Sequence, residues 1–237
     1  MGRLSPVGPL NAAPRHEPAR AVVFDCDGVL VDSERIAGPI LAELLTELGL
    51  PTTQADVDRD FKGRSWEHGL DVIRTRRGGE PPWPGLRERY RAALFTAFDA
   101  DLRPVAGIVG ALDALDAAAI PYCVASSGDH ERIRRGLGAA GLRGRFPEAS
   151  IFSVEDVAHG KPAPDLFLHA AATMGFDPAQ TVVVEDSPAG VQAGVAAGMR
   201  VLGYAGASGA EDLRAAGAEP FADMPALPAL LGVSRGS

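Results

Sequence analysis

Residues 19–34 read ARAVVFDCDGVLVDSE, and the first eight form a largely apolar run of strand length that ends in acids and a glycine. Such a run predicts a buried parallel strand. Where it runs out, two carboxylates stand two residues apart, Asp25 and Asp27. If the chain stays extended there, alternation sends both to one side, and Gly28 then lets the backbone turn. A turn with solvated acids is the plain alternative. A calcium-binding EF-hand loop is excluded, because its glycine belongs at about position six and Gly28 is fourth counting from Asp25.

Working outward, the next four segments carry apolar residues at three- and four-residue spacing: 34–48, 53–61, 65–77 and 84–100. Ile36, Ile40, Leu44, Leu45 and Leu48 show the pattern, which predicts helices with no strand among them. After Pro104 the rhythm changes. Helices over 106–119, 129–140, 164–174, 188–197 and 209–217 alternate with strands over 120–125, 150–154, 181–185 and 200–204. This alternation predicts an α/β fold, a doubly wound parallel sheet with helices on both faces. The first strand has no partner until residue 120, so the simplest architecture inserts an all-helical domain, residues 34–101, into an α/β core made of 20–33 and 102–237. Residues 1–19 mix Arg, Pro and Glu without an apolar stretch; they are expected to form a disordered tail and not a secretory signal.

Composition narrows the function classes. With 237 residues, 46% hydrophobic and 23% charged, the chain can bury a large core. No apolar run approaches the roughly 18–20 residues that span a bilayer. The net charge of −8 opposes sequence-independent binding to nucleic acid. A small-molecule partner, no nucleic acid, no membrane and a monomeric state are the expectations. Cys26 and Cys123 each sit in an apolar run and make neither a disulfide framework nor a zinc set, so a cytoplasmic chain with reduced, buried thiols is expected.

Ligands of an open parallel sheet bind at the carboxyl ends of its strands. The segment TVVVEDSPAG places Glu185 and Asp186 at a second acidic strand end, followed by Ser187 and Pro188 as helix cap and first helical residue. Two acidic ends in one sheet repel unless a hard cation or an arginine network lies between them; an oxygen-only set with two or three carboxylates suits Mg²⁺. Of 23 Lys plus Arg only Lys62 and Lys161 are lysine, which singles out Lys161 in GKPAPDLF, just before a helix, as a point cation for a phosphoryl group. VASSGDHERI puts Ser126 and Ser127 at a further strand end, ahead of a helix that Asp129 can cap; hydroxyls and free N–H groups there suit phosphate oxygens.

DCDGVLVDSE, the Ser126 strand end, GKPAPD and VVVEDSPAG, in that order and with a helical block after the first, resemble the haloacid dehalogenase superfamily; the block resembles the cap of its β-phosphoglucomutase-like subfamily. The resemblance covers about residues 20–232. It implies a Mg²⁺-dependent phosphatase acting on a small phosphorylated metabolite, a sugar phosphate or a nucleoside or C-nucleoside 5′-monophosphate. Asp25 would be the nucleophile, transiently phosphorylated, and Asp27 the general acid and base. Ser126, Ser127 and Lys161 would hold the phosphoryl group. Asp25, the Asp27 backbone carbonyl and Asp186 would hold Mg²⁺, with Glu185 beside it. Lys62, Gly63 and Arg64 look like the cap loop that meets the substrate. The histidines show no ligand spacing, although His159 is close enough to Lys161 in sequence to line the pocket.

Two other readings stay open. A phosphosugar mutase of the same subfamily has a histidine and an arginine in its cap where a gap-free alignment places Ala37 and Trp66 here. A phosphoacceptor signalling domain also uses acids, a hydroxyl and a lysine on a parallel sheet, but needs neither a helical insertion nor a second acid after the nucleophile. A dehalogenase is disfavoured, because chemistry on a carbon–halogen bond requires no acidic metal site.

Overall fold

A computed structural model describes residues 18–61, 64, 66–79, 83–206 and 209–233 of the chain. The opening run becomes β1 (Ala21–Phe24), followed in chain order by β2 (Tyr122–Ser126), β3 (Ile151–Ser153), β4 (Thr181–Glu185), β5 (Arg200–Tyr204) and β6 (Glu219–Phe221). Every pairing is parallel, and the sheet order is β3-β2-β1-β4-β5-β6. The order reverses between β1 and β4, so the two acidic strand ends stand side by side at the point where such sheets bind ligands.

Period-two alternation along the strands sorts the core into two apolar layers. Val22, Phe24, Val124, Val182, Val184 and Leu202 face one side. Val23, Cys123, Ala125, Val183 and Val201 face the other, against α7 (Asp165–Met174), α8 (Pro188–Ala196) and α9 (Ala210–Ala216). Both cysteines are free and buried.

Between β1 and β2 run α1 (Glu34–Glu47), α2 (Gln54–Asp60), α3 (Trp66–Arg77), α4 (Leu86–Asp101) and α5 (Ile108–Ala117), with no strand among the described residues of 34–101. α1 packs on α2 and α4, and α4 on α6 (His130–Ala139). One apolar cluster runs without a break from Leu45, Ile73, Leu94 and Phe98 into Val31, Leu102 and Ile133 of the sheet's first layer. Local chemistry starts several helices. Thr53 and Asp56 form a reciprocal capping box on α2, Asp129 accepts the Arg132 N–H at 2.8 Å on α6, and Ser187 caps α8 ahead of Pro188.

The chain ends differ from what the sequence predicts. β6 and a short α10 (Leu227–Leu230) were not expected. Pro220 in β6 reads as a turn signal, and it is tolerated because β6 is an edge strand. The tail ends sooner than residue 19: Ala19 is buried and its N–H donates to the Leu231 carbonyl at 2.9 Å, which ties it to the core. The rest of the expected tail, residues 1–17, lies outside the described residues, as do Lys62 and Gly63. No described helix is long and apolar enough to cross a membrane.

Candidate active site

Strand register builds the centre of the site. Phe24 is paired with Val124 on one side and Val184 on the other, and the Asp25 N–H continues the ladder to the Val184 carbonyl at 2.9 Å. The next residue of each strand, Ala125, Asp25 and Glu185, therefore forms a row on the face covered by α7. Lys161 reaches this row from the loop before α7. Its Nζ donates to Asp25 Oδ1 at 2.5 Å, to Glu185 Oε1 at 2.8 Å and to the Ala125 carbonyl at 3.1 Å, which uses all three ammonium donors. The ammonium also lies 4.7 Å from the centroid of the Phe167 ring.

Asp25, Lys161, Glu185 and Asp186 are 6%, 6%, 1% and 3% exposed, which makes their mutual charges strong. Burial pushes the Asp25 carboxyl well above its ordinary range; Lys161 opposes this, while Glu185, Asp186 and Asp27 add to it. Burial also works against the Lys161 ammonium, yet Asp25 and Glu185 outweigh it and hold its pKa above the usual lysine value. The Glu185 Oε2 accepts from the Asp186 N–H (2.8 Å), the Ser187 N–H (2.8 Å) and the Ser187 hydroxyl (3.0 Å), so both Glu185 oxygens are engaged by protein donors. A Cβ at Gly190 would fall 1.7 Å from Glu185 Oε1, so only glycine lets α8 approach this carboxylate.

Asp186 meets the turn that follows Asp27. Gly28 has φ +81°, and a Cβ there would sit 2.4 Å from Asp186 Oδ2. This glycine thus serves both a left-handed turn and a close approach of carboxylate to backbone. The donors gathered here are the Asp25 and Asp186 carboxylates and the backbone after Asp27, all hard oxygens. Among the described residues no three His, Cys, Asp or Glu side chains close around a common metal position by themselves. A cation that keeps several waters and takes a substrate oxygen, as Mg²⁺ does, fits such an open set; one that needs an all-protein cage does not.

Asp27 parts company with Asp25. The backbone leaves the extended form at Cys26, whose carbonyl accepts from the Leu30 and Val31 N–H groups, so alternation no longer applies. The Asp27 Oδ1 accepts from the Ser33 hydroxyl at 2.5 Å and from Arg132 Nη2 at 3.0 Å. Burial favours the neutral acid, but Arg132 and Ser33 prevail and hold the Asp27 pKa below the usual carboxylate value. Tyr90 of α4 also lies beside Arg132 and interacts with its charge. Arg132 escaped the sequence reading, since nothing distinguishes it among 21 arginines; its place one turn into the helix after Ser126 and Ser127 was the only available signal.

Asp25, Asp27, Asp186, Ser126, Ser127 and Arg132 line one cavity of about 500 Å³, whose opposite wall is helical and includes Ala37, Arg64, Trp66 and Tyr90. Trp66 stacks on Tyr90 with centroids 5.6 Å apart. Ser126 is buried, and its Oγ accepts the Gly128 N–H at 3.1 Å. His159 does not line the cavity: its side chain is 74% exposed and pairs with Asp165 at 3.1 Å, because the loop turns outward before Lys161 turns in.

A doubly wound sheet thus carries at its switch point a buried aspartate, a lysine bridging two strand ends and an acidic partner on the neighbouring strand, and the comparisons with known proteins give the family. A family model for haloacid dehalogenase-like hydrolases matches residues 19–198, and the chain belongs to that family. It is 34% identical over 182 residues to a 6-phosphogluconate phosphatase of Escherichia coli, covering 77% of this chain and 80% of the relative. A hexitol phosphatase of the same organism is 31% identical, over 77% and 82% of the two chains. A solved hydrolase of the family from Deinococcus radiodurans, with bound phosphate and sodium, superposes with a TM-score of 0.72 at 31% identity, covering 91% of this chain and 97% of its own. Within the family the chain is a phosphoric monoester hydrolase.

Proposed function

We propose that the chain is a Mg²⁺-dependent phosphatase that hydrolyses a small phosphorylated metabolite through an aspartyl phosphate on Asp25. The observation that carries this is the buried Lys161 ammonium shared by Asp25 and Glu185, beside Asp186 and open to the cavity through Asp25. The Asp25 and Asp186 carboxylates and the Asp27 carbonyl would hold Mg²⁺, which would supply charge that lets a carboxylate approach a phosphate dianion. Glu185, engaged on both oxygens, acts as the anchor that aims Lys161 and not as a direct ligand.

Asp25 attacks phosphorus in line, and the ester oxygen departs with the bonding electrons and a proton from Asp27. Asp27 then takes a proton from water, whose oxygen attacks the aspartyl phosphate; phosphate leaves and Asp25 is restored. Ser126 and Ser127 bind the phosphoryl oxygens, and Lys161 turns the donor that now serves Asp25 to them as Asp25 becomes phosphorylated. Arg132 favours the ionised form of Asp27, which suits the second step; for the first, Asp27 turns away from Arg132 toward the leaving oxygen.

Residues 34–101 act as the cap, with Lys62, Gly63 and Arg64 as the substrate-facing loop. Relatives that act on 6-phosphogluconate and hexitol phosphates point to a phosphorylated polyhydroxy compound. Ala37 and Trp66 line the cavity where a mutase would use histidine and arginine, which favours hydrolysis. Turnover of p-nitrophenyl phosphate that is lost in EDTA and restored by Mg²⁺ is the expected result; full activity in excess chelator overturns the metal reading, and no turnover at all returns the signalling domain. With β-glucose 1-phosphate and a bisphosphate primer, phosphorus NMR should show inorganic phosphate. Glucose 6-phosphate without phosphate would make the chain a mutase.

A further inference from the structure

Arg132 is placed between three things. Its stem lies against Gly128, where a Cβ would meet Cδ at 3.1 Å, directly after Ser126 and Ser127. Its guanidinium stands 6.0 Å from the Phe98 ring centroid of α4 and lies beside Tyr90 of the same helix. Its Nη2 holds Asp27 by one bond at 3.0 Å, and its Nε is buried with no hydrogen-bond partner among the described residues.

Nε and Nη2 form one edge of the guanidinium, the edge that grips a carboxylate with two parallel hydrogen bonds. Asp27 occupies half of that edge, and its oxygen is shared with Ser33. When Asp27 turns to the leaving oxygen, as the phosphatase reading requires, the whole edge is vacated. The Arg132 side chain, only 22% exposed, then lacks its counter-ion, which is costly for a largely buried charge. A hydroxyl from the substrate supplies no charge to replace it; a carboxylate does, and it satisfies Nε as well.

We propose that Arg132 is the subsite for a second anionic group of the substrate, a carboxylate on the part that leaves with the alcohol, and that this carboxylate replaces Asp27 on Arg132. The inference rests on the phosphatase reading and names its substrate class as phosphorylated sugar acids. Recognition and release of Asp27 are then one event: an ester with the acid frees Asp27, and a neutral ester leaves it clamped.

The test compares a hexonate 6-phosphate with the hexitol 6-phosphate that differs only by hydroxymethyl for carboxylate. In the wild type kcat/KM should favour the acid by about tenfold or more, and Arg132→Gln should bring the ratio to within about twofold of one. Arg132→Lys should fall between, since it keeps the charge but loses the fork, and it becomes the deciding variant if the glutamine form fails to fold by circular dichroism. A wild-type ratio near one, or a ratio that survives Arg132→Gln, overturns the proposal while leaving the phosphatase reading intact. If neither ester nor p-nitrophenyl phosphate is hydrolysed with Mg²⁺, the phosphatase reading falls instead. Calorimetric binding of the two esters to the wild type and Arg132→Gln is then the deciding measurement: tighter binding of the acid that depends on Arg132 supports the subsite, and equal binding overturns it.

Discussion

The two walls of the cavity are built on different principles. On the sheet wall, Ala125, Asp25 and Glu185 are neighbouring positions across three paired strands, and one buried lysine ties them together with bonds of 3.1, 2.5 and 2.8 Å. On the helical wall, charge is partly solvated and is held by side-chain pairs alone. Arg91 meets Asp129 at 2.9 Å and Arg87 meets it at 3.4 Å, with arginine exposures of 30% and 43%. Pairs of that kind contribute about 0–1 kcal/mol each. The difference teaches a division of labour for the proposed mechanism: backbone ladders position the groups it assigns to the reaction, and side-chain contacts position the groups it assigns to selection.

Three substitutions would break or sharpen this contrast. Asp25→Asn should have the largest effect, because an amide cannot form the acyl phosphate; kcat should fall more than about a hundredfold, with an unchanged circular dichroism spectrum. A variant that keeps more than that fraction of the rate removes Asp25 from the nucleophile's role. Lys161→Met should abolish turnover and also cost about 3–5 kcal/mol in urea unfolding, since it leaves two buried carboxylates without their cation. A loss of under about 1 kcal/mol would show the sheet wall to be no tighter than the helical one. Arg64→Ala, on the helical wall, should leave stability within about 0.5 kcal/mol of wild type. It should lower kcat/KM for the preferred metabolite several-fold more than for p-nitrophenyl phosphate; equal losses on both substrates would deny the helices a part in selection.

Much of the sheet wall was readable from residue order. A strand-length apolar run announces each of β1, β2 and β4, and side chains at strand ends follow from alternation. The Ser187–Pro188 and Asp129 caps rest on contacts within three residues, so a local reading reaches them. The same alternation misled at Asp27, because the turn through Cys26 and Gly28 ended the extended backbone after Asp25 and sent the second acid to Arg132 and not to Lys161. β6 was hidden by Pro220, which only an edge strand accommodates.

By itself, then, the sequence determined the alternating α/β architecture, the helical insertion, the two acidic strand ends and the singular lysine, since each depends on periodicity or on neighbours within a few residues. Only the tertiary structure decided that β1 and β4 are adjacent, so that Asp25 and Glu185 share Lys161 across separations of 136 and 24 residues. It alone joined Arg132 to Asp27 over 105 residues and to Tyr90 on the facing helix. The physical reason is that a charge buried away from water takes whichever partner the packing brings near, and packing is a property of the whole chain.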